Sequence, residues 1–72
     1  MPRYVFHLEG SQLASELPGP DEARLAAVIS AGEMLRDVSA RFWNGPEWRM
    51  QVTDEQGETI CEIAILGTMR RK

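Results

Sequence analysis

The sequence predicts a small α+β domain, in which a mainly antiparallel sheet of three strands carries one helix on one face, in the order β-α-β-β. Three observations predict this fold. Apolar residues alternate along Arg3–Leu8, helix-forming residues dominate from Asp21 to Arg41, and alternation returns in Glu47–Thr53 and Glu58–Leu66, which a turn joins. A chain of 72 residues is expected to form a single domain, residues 1–72, around one modest core.

The first strand, Arg3–Leu8, is predicted from aromatic and β-branched residues that alternate between two sides. Tyr4, Phe6 and Leu8 lie on one side, and Val5 and His7 lie on the other. Residues 12–20 are predicted as a connector, because Pro18-Gly19-Pro20 is incompatible with a helix. A short extra edge strand around Gln12–Ala14 is left open as the alternative.

The helix is predicted to begin at Asp21, whose side chain suits a capping position, and Glu22 then meets the positive end of the helix dipole. At about 100° per residue, one face collects apolar side chains, and we expect this face to meet the sheet. A second apolar group, formed by Leu25, Val28, Ile29 and Gly32, widens the surface around the flank. This stripe is wider than contact with one sheet requires, so another contact is expected to cover part of it.

Asn44-Gly45-Pro46 is predicted to end the helix, and Asp54-Glu55-Gln56-Gly57 is predicted as the turn between the last two strands. In the last strand Glu62 is expected to face water. This places Cys61, Ile63 and Ile65 inward and leaves Ile60, Ala64 and Leu66 on the outer face of the sheet. The predicted core, chosen by agreement in period, is Phe6, Ala27, Met34, Val38, Met50, Val52, Ile63 and Ile65.

Composition excludes several classes of function. A net charge of −3 and a pI near 5.0 disfavour a whole-domain nucleic-acid binder, which usually presents a basic face. One histidine and one cysteine are too few for an ordinary metal site, and no cofactor is expected. Residues 67–72, which include Arg70-Arg71-Lys72, are expected to form a frayed basic tail.

The cellular setting is predicted from what the sequence lacks. It contains neither an apolar segment long enough to cross a membrane nor a secretory leader pattern. The single cysteine, Cys61, allows no intramolecular disulfide and agrees with a reducing compartment. We therefore expect a cytoplasmic protein, whose small core is supplemented by self-association because disulfide and metal are both absent from the sequence.

Three separated patterns resemble an uncharacterised family of short bacterial proteins, known only as a domain of unknown function. The matching residues are Pro2, Arg3, Tyr4, Phe6, His7 and Leu8, then Leu17, Pro18, Asp21, Ala23 and Arg24, then Trp48, Arg49, Val52, Thr53, Asp54, Glu55 and Gly57. The connector departs from the family pattern, since Glu9-Gly10 stands in place of an Asp-Gly turn and the connector is shorter. The resemblance implies a compact domain in a bacterial cytoplasm and carries over no activity, substrate or catalytic residue.

Candidate chemical groups each have a structural alternative that we favour. His7 is the only side chain that titrates near neutrality, but beside Glu62 on an open sheet face it is more typical of a cross-strand contact. Cys61 is predicted as a small buried hydrophobe, and Asp54-Glu55 as part of a turn with too few ligands for calcium. Phe42, Trp43 and Trp48 are predicted to pack around the helix exit. We predict no enzyme activity and no catalytic, cofactor-binding or metal residue.

Two functions remain. The first is an interaction module that forms a homodimer or docks on a partner protein, since apolar side chains are left over on the helix flank and the outer sheet face. Its candidate interface comprises Val5, His7, Arg49, Ile60, Glu62, Ala64 and Leu66. The alternative is a nucleic-acid-associated regulatory protein, with a basic edge made of Arg3, Arg49, Arg70, Arg71 and Lys72. The sequence favours the first.

Overall fold

A computed structural model describes residues 1–45 and 47–70 of the chain. The elements follow the order β1 (Arg3–Leu8), β2 (Ser11–Glu16), α1 (Pro20–Asp37), a short 3₁₀ helix (Phe42–Asn44), β3 (Trp48–Thr53) and β4 (Thr59–Ile65). The strands form one antiparallel sheet in the order β2-β1-β3-β4. The helix crosses one face of this sheet, over β3 and β4. The α+β class is thus confirmed.

The prediction of three strands is wrong, because β2 adds a fourth. The edge strand left open around Gln12–Ala14 is a six-residue strand, Ser11–Glu16, paired with β1 along its whole length. Gly10, with a φ of 80°, closes the two-residue loop between the strands. All residues of β2 are exposed, so its sequence carries little of the apolar alternation by which a strand is recognised.

The helix begins one residue earlier and ends four residues earlier than predicted, at Pro20 and Asp37. Gly19 occupies the capping position and Pro20 the first turn, where a proline needs no amide partner. The prediction that Asp21 caps the helix is wrong, because its carboxylate instead accepts a hydrogen bond from the Arg24 guanidinium. Beyond Asp37 the chain continues in turns to the 3₁₀ helix.

The β3–β4 hairpin matches its prediction to within one residue at three of its four ends and agrees at the fourth, Thr53. Its turn is built around Asp54, whose carboxylate accepts hydrogen bonds from the amides of Gln56 and Glu58, both at 2.9 Å. Gly57 has a φ of 83°, a left-handed conformation that glycine adopts without steric cost. This acidic segment therefore forms the turn that the sequence predicted, and the Asp54 carboxylate bonds to the turn's own amides.

The core lies between the sheet and α1. Its buried members are Tyr4, Phe6, Ala23, Ala27, Ala31, Met50 and Val52. Four of the eight predicted core residues, Phe6, Ala27, Met50 and Val52, are among them, while Met34, Val38, Ile63 and Ile65 are only half-buried. The helix approaches the sheet through three alanines, so its larger apolar side chains lie at the margin of the contact or point away from it.

The helix exit is held by aromatic packing, as predicted for Phe42 and Trp43, whose rings meet edge to face at a centroid distance of 5.3 Å. Gly67 lies directly against both rings, and a Cβ at this position would come within 2.5 Å of Trp43 and 2.6 Å of Phe42. Of the predicted helix stop Asn44-Gly45-Pro46, Pro46 lies outside the described residues, and so do Arg71 and Lys72 of the predicted basic tail.

Candidate interaction surfaces

The outer face of the sheet, opposite α1, carries mostly polar side chains. His7, Gln51 and Glu62 form one row across β1, β3 and β4, because His7 pairs with Gln51 and Gln51 pairs with Glu62. The imidazole Nε2 of His7 lies 2.8 Å from the hydroxyl of Thr53, and Gln51 donates to the hydroxyl of Thr59. The sequence correctly placed His7 and Glu62 on one face, but Gln51 separates them.

The apolar members of the candidate interface do not form one patch. Val5 lies on β1 and Ala64 on β4, and the polar residues of β3 run between them. Leu66 follows the end of β4 and is 67% exposed. The sequence leaves the order of the strands open, and this order decides whether Val5 and Ala64 are neighbours.

Ile60 is not on the outer face as the sequence predicted. The pairing between β3 and β4 shifts at Val52/Thr53: Thr53 pairs with Thr59 and Val52 with Cys61, so Ile60 is the extra residue of a bulge. Its side chain packs against the core cluster. Strict alternation would place Ile60 and Cys61 on opposite faces of the sheet. The bulge inserts one extra residue, so both side chains point inward and only the side predicted for Ile60 is reversed.

A groove of about 1140 Å³ opens where α1 ends and β3 begins, and four of the candidate residues line it. These are His7, Arg49, Glu62 and Ala64. The groove exists because β1 pairs with β3 only from Val5 to His7, so the first half of β3 runs on beside the β1–β2 turn without that neighbour. Its lining mixes these side chains with the half-buried Met34, Val38 and Trp48.

Two of the charged residues that line this groove, Arg49 and Glu47, pair with each other. The Arg49 guanidinium donates a hydrogen bond to the Glu47 carboxylate, and this bond together with the charge of Glu47 raises the pKa of Arg49. Among the residues that the structure describes, no three histidine, cysteine or acidic side chains come together as a metal site would require. The groove therefore offers polar and charged side chains for contact with another molecule.

Cys61 lies on the inner face of β4, opposite Val52, and its side chain packs against the core. Partial burial raises the pKa of its thiol, and the positive charge of Arg24 lowers it by a smaller amount. A raised pKa leaves less thiolate at neutral pH, which is the reverse of what a nucleophilic cysteine needs. This agrees with the structural role that the sequence indicated.

An exposed apolar surface lies on α1, on the side that faces away from the sheet. We call this surface, made of Leu25, Val28, Ile29 and Gly32, the helix stripe. Its three large side chains are 64%, 63% and 57% exposed, in that order. The sequence analysis found these residues as a second apolar group but did not include them in its candidate interface. The signal was their spacing at i, i+3, i+4 and i+7, which repeats on one side of a helix.

These features define a small domain with the element order ββαββ, in which one helix packs on a four-stranded antiparallel sheet. Residues 3–67 match the family model described as Domain of unknown function (DUF6894), and the chain belongs to this family. The resemblance seen in the sequence, to a domain of unknown function, is thereby confirmed.

The chain gives no match among curated proteins and none among solved structures. In the part of the chain that the structure describes, no helix combines the length and the apolarity needed to cross a membrane.

Proposed function

We propose that this domain is a protein-interaction module that acts by binding, without catalysis, and that it docks an uncovered apolar surface on another protein chain. The observation that carries this proposal is the helix stripe, where Leu25, Val28 and Ile29 expose most of their side chains side by side on one face of α1. Isolated exposed apolar residues are common, but a contiguous group on a small domain is typical of an interaction surface.

The way the helix packs supports the proposal. Ala23, Ala27 and Ala31 already make the contact with the sheet, so the fold of a single chain does not require large apolar residues on the opposite side. Leucine, valine and isoleucine there expose apolar area to water, and covering that area would gain about 25 cal/mol per Å². A partner chain is the source of such cover that we propose.

Catalysis is not part of the proposal, because the groups that the sequence singled out have structural partners. His7 contacts Thr53, the Asp54 carboxylate holds its own turn, and Cys61 packs against the core. The aromatic side chains of β1, Tyr4 and Phe6, are buried, so this strand presents no stacking platform for single-stranded nucleic acid. We place the module in the cytoplasm, where a lone thiol stays reduced.

The test compares association in two lysine variants, one on the helix stripe and one on the outer sheet face. Light scattering over a concentration series measures self-association, and affinity capture from the native cytoplasm measures docking on other proteins. Leu25→Lys with Ile29→Lys should remove the interaction, because two charges would enter the contact, whereas Ala64→Lys on the outer sheet face should leave it intact. A wild-type protein that stays monomeric and captures nothing that the helix variant loses would refute the proposal.

The sheet-face interface of Val5, His7, Arg49, Ile60, Glu62, Ala64 and Leu66 stays a prediction, and the same comparison tests it. If that face were the docking surface, Ala64→Lys would be the damaging change and the helix variant the silent one. Ile60 is a poor probe for this purpose, because its side chain packs against the core and a lysine there would disturb the fold.

A further inference from the structure

We propose that the helix stripe is a two-fold contact, in which α1 of one chain packs antiparallel against α1 of a second copy. This inference rests on the proposed function and names both its surface and its partner. The contact is centred between Val28 and Ile29, at the middle of the exposed stripe. A two-fold interface must be complementary to itself, since each residue i that meets a residue j of the partner is met by the partner's i at its own j.

The apolar residues of the stripe satisfy this condition. Leu25 precedes the centre by as many residues as Gly32 follows it, so an antiparallel pair places Leu25 of each chain over the partner's Gly32. Val28 and the partner's Ile29 then meet at the centre. The space above Gly32 is open, with no atom within 4 Å of where a Cβ would be, which gives a leucine side chain room to pack and lets the helices approach closely.

The charges on α1 select the antiparallel direction and a second copy as the partner. Asp21 and Glu22 lie in the first turn of the helix and Arg36 in the last. In the antiparallel pair Arg36 lies opposite the partner's Asp21 and next to its Glu22, and the same contacts occur twice by symmetry. A parallel pair would instead bring the acidic first turns together and align the two helix dipoles unfavourably. The exposed side of α1 is thus complementary to a second copy of itself, in shape through the helix stripe and in charge through the residues at the two ends of the helix.

The expected strength follows from the size of the surface. One exposed face of an 18-residue helix is about 27 Å long and buries less than the roughly 1,600 Å² of a standard stable interface. We therefore expect a reversible dimer with a dissociation constant in the micromolar range. A crossing angle of about 20° keeps Glu22 and the partner's Arg36 within reach, because the helices stay side by side over their whole length.

Charge exchange tests the geometry by sedimentation equilibrium of the intact chain. Glu22→Lys or Arg36→Glu alone should each weaken the homodimer about tenfold, since each replaces two attractive contacts with two repulsive ones. An equimolar mixture of the two variants should form a heterodimer, and the double variant should regain homodimer affinity. Asp37→Lys, an equal charge change outside the stripe, is the matched control and should leave the affinity unchanged. Thermal unfolding of each variant reports whether the fold is retained.

The outcomes separate this inference from the proposed function. If the wild-type protein dimerises but the charge variants, singly and mixed, all behave like it, the antiparallel helix pair is wrong while an interaction module stands. If the wild-type protein remains monomeric at the highest attainable concentration, self-pairing is wrong, and the capture experiment alone decides whether a different protein binds. Recovery in the double variant and in the mixture is the result that a merely solvated helix face would not produce.

Discussion

The β3–β4 turn depends on one carboxylate more than on the rest of its sequence. The Asp54 carboxylate accepts hydrogen bonds from two backbone amides. The backbone amide of Asp54 donates a hydrogen bond to the Glu58 carbonyl, with an N···O distance of 2.9 Å. Four-residue turns of this kind use an aspartate because its short side chain reaches the amides that follow it. The residue therefore closes the hairpin from which β3 and β4 enter the sheet.

Asp54→Ala should lower the free energy of unfolding by about 1–2 kcal/mol, because two amide donors lose an ionised acceptor. Chemical denaturation with urea measures the loss. Glu55→Ala, which removes the neighbouring exposed acid, is the control and should change stability by less than about 0.5 kcal/mol. Equal effects in the two variants would show that the carboxylate contacts do not hold the turn.

Cys61 gives a prediction for pH dependence. Since burial raises its pKa in the folded state, folding favours the protonated thiol. This contribution to stability is full below the pKa of the unfolded thiol and is lost as the pH rises through the higher folded pKa. A disulfide exchange reagent at pH 8 should therefore react more slowly with the native protein than with the urea-unfolded chain. Equal rates would place the thiol in water.

At the scale of elements, the contacts around α1 are made by small residues. Three alanines bring the helix onto the sheet, and Gly67 lets the segment after β4 lie against Phe42 and Trp43. Small residues at both places bring backbone and aromatic rings closer than larger side chains would allow. The small size of these residues thus determines how closely α1 approaches the sheet and how closely the segment after β4 approaches the rings.

Gly67→Ala should destabilise the domain by about 1–3 kcal/mol, since the new methyl group would overlap both rings and force them to move. Gly45→Ala is the matched control, because no atom lies within 4 Å of a Cβ there. Thermal unfolding, together with near-ultraviolet circular dichroism of the tryptophans, measures both stability and ring packing. A Gly67 variant as stable as the control would mean that the segment is not held against the rings.

The sequence predicts some elements of this fold accurately and others poorly, and the difference has physical causes. β1 was predicted with its observed bounds, because its apolar residues alternate and Tyr4 and Phe6 are buried on one side. β2 was left as an alternative, since hydrogen bonds to β1 define it and its exposed side chains leave no pattern. Ile60 was assigned to the wrong face because a bulge depends on pairing with another strand, which the alternation of one strand does not contain.

The candidate interaction surfaces likewise combine features that the sequence shows with features that depend on how the elements pack. The apolar spacing of Leu25, Val28 and Ile29 is local to one helix and was visible in the sequence. Whether these side chains are exposed depends on which side of α1 meets the sheet. The packing of Ala23, Ala27 and Ala31 against the sheet decides this. On the sheet face, β3 separates Val5 from Ala64, because strand order decides which side chains are neighbours.

At the scale of the whole molecule, apolar and polar surfaces are separated by the sheet. The inner side holds the core and α1, and the outer side carries the row of His7, Gln51 and Glu62. The helix stripe then lies on the far side of α1, where the residues that the structure describes leave its three large side chains exposed. We propose that the domain binds through this side, with the polar sheet face turned to water.

Amide NMR spectra of the wild-type protein, recorded from low micromolar to near-millimolar concentration, test this central claim most directly. Shifts and line broadening that grow with concentration should map to α1, strongest around Leu25, Val28, Ile29 and Gly32, because association changes the surroundings of the residues it covers. Amides of the outer sheet face, including those of Arg49 and Ala64, should stay unchanged. Concentration-dependent changes confined to the sheet face, with α1 unaffected, would contradict the account.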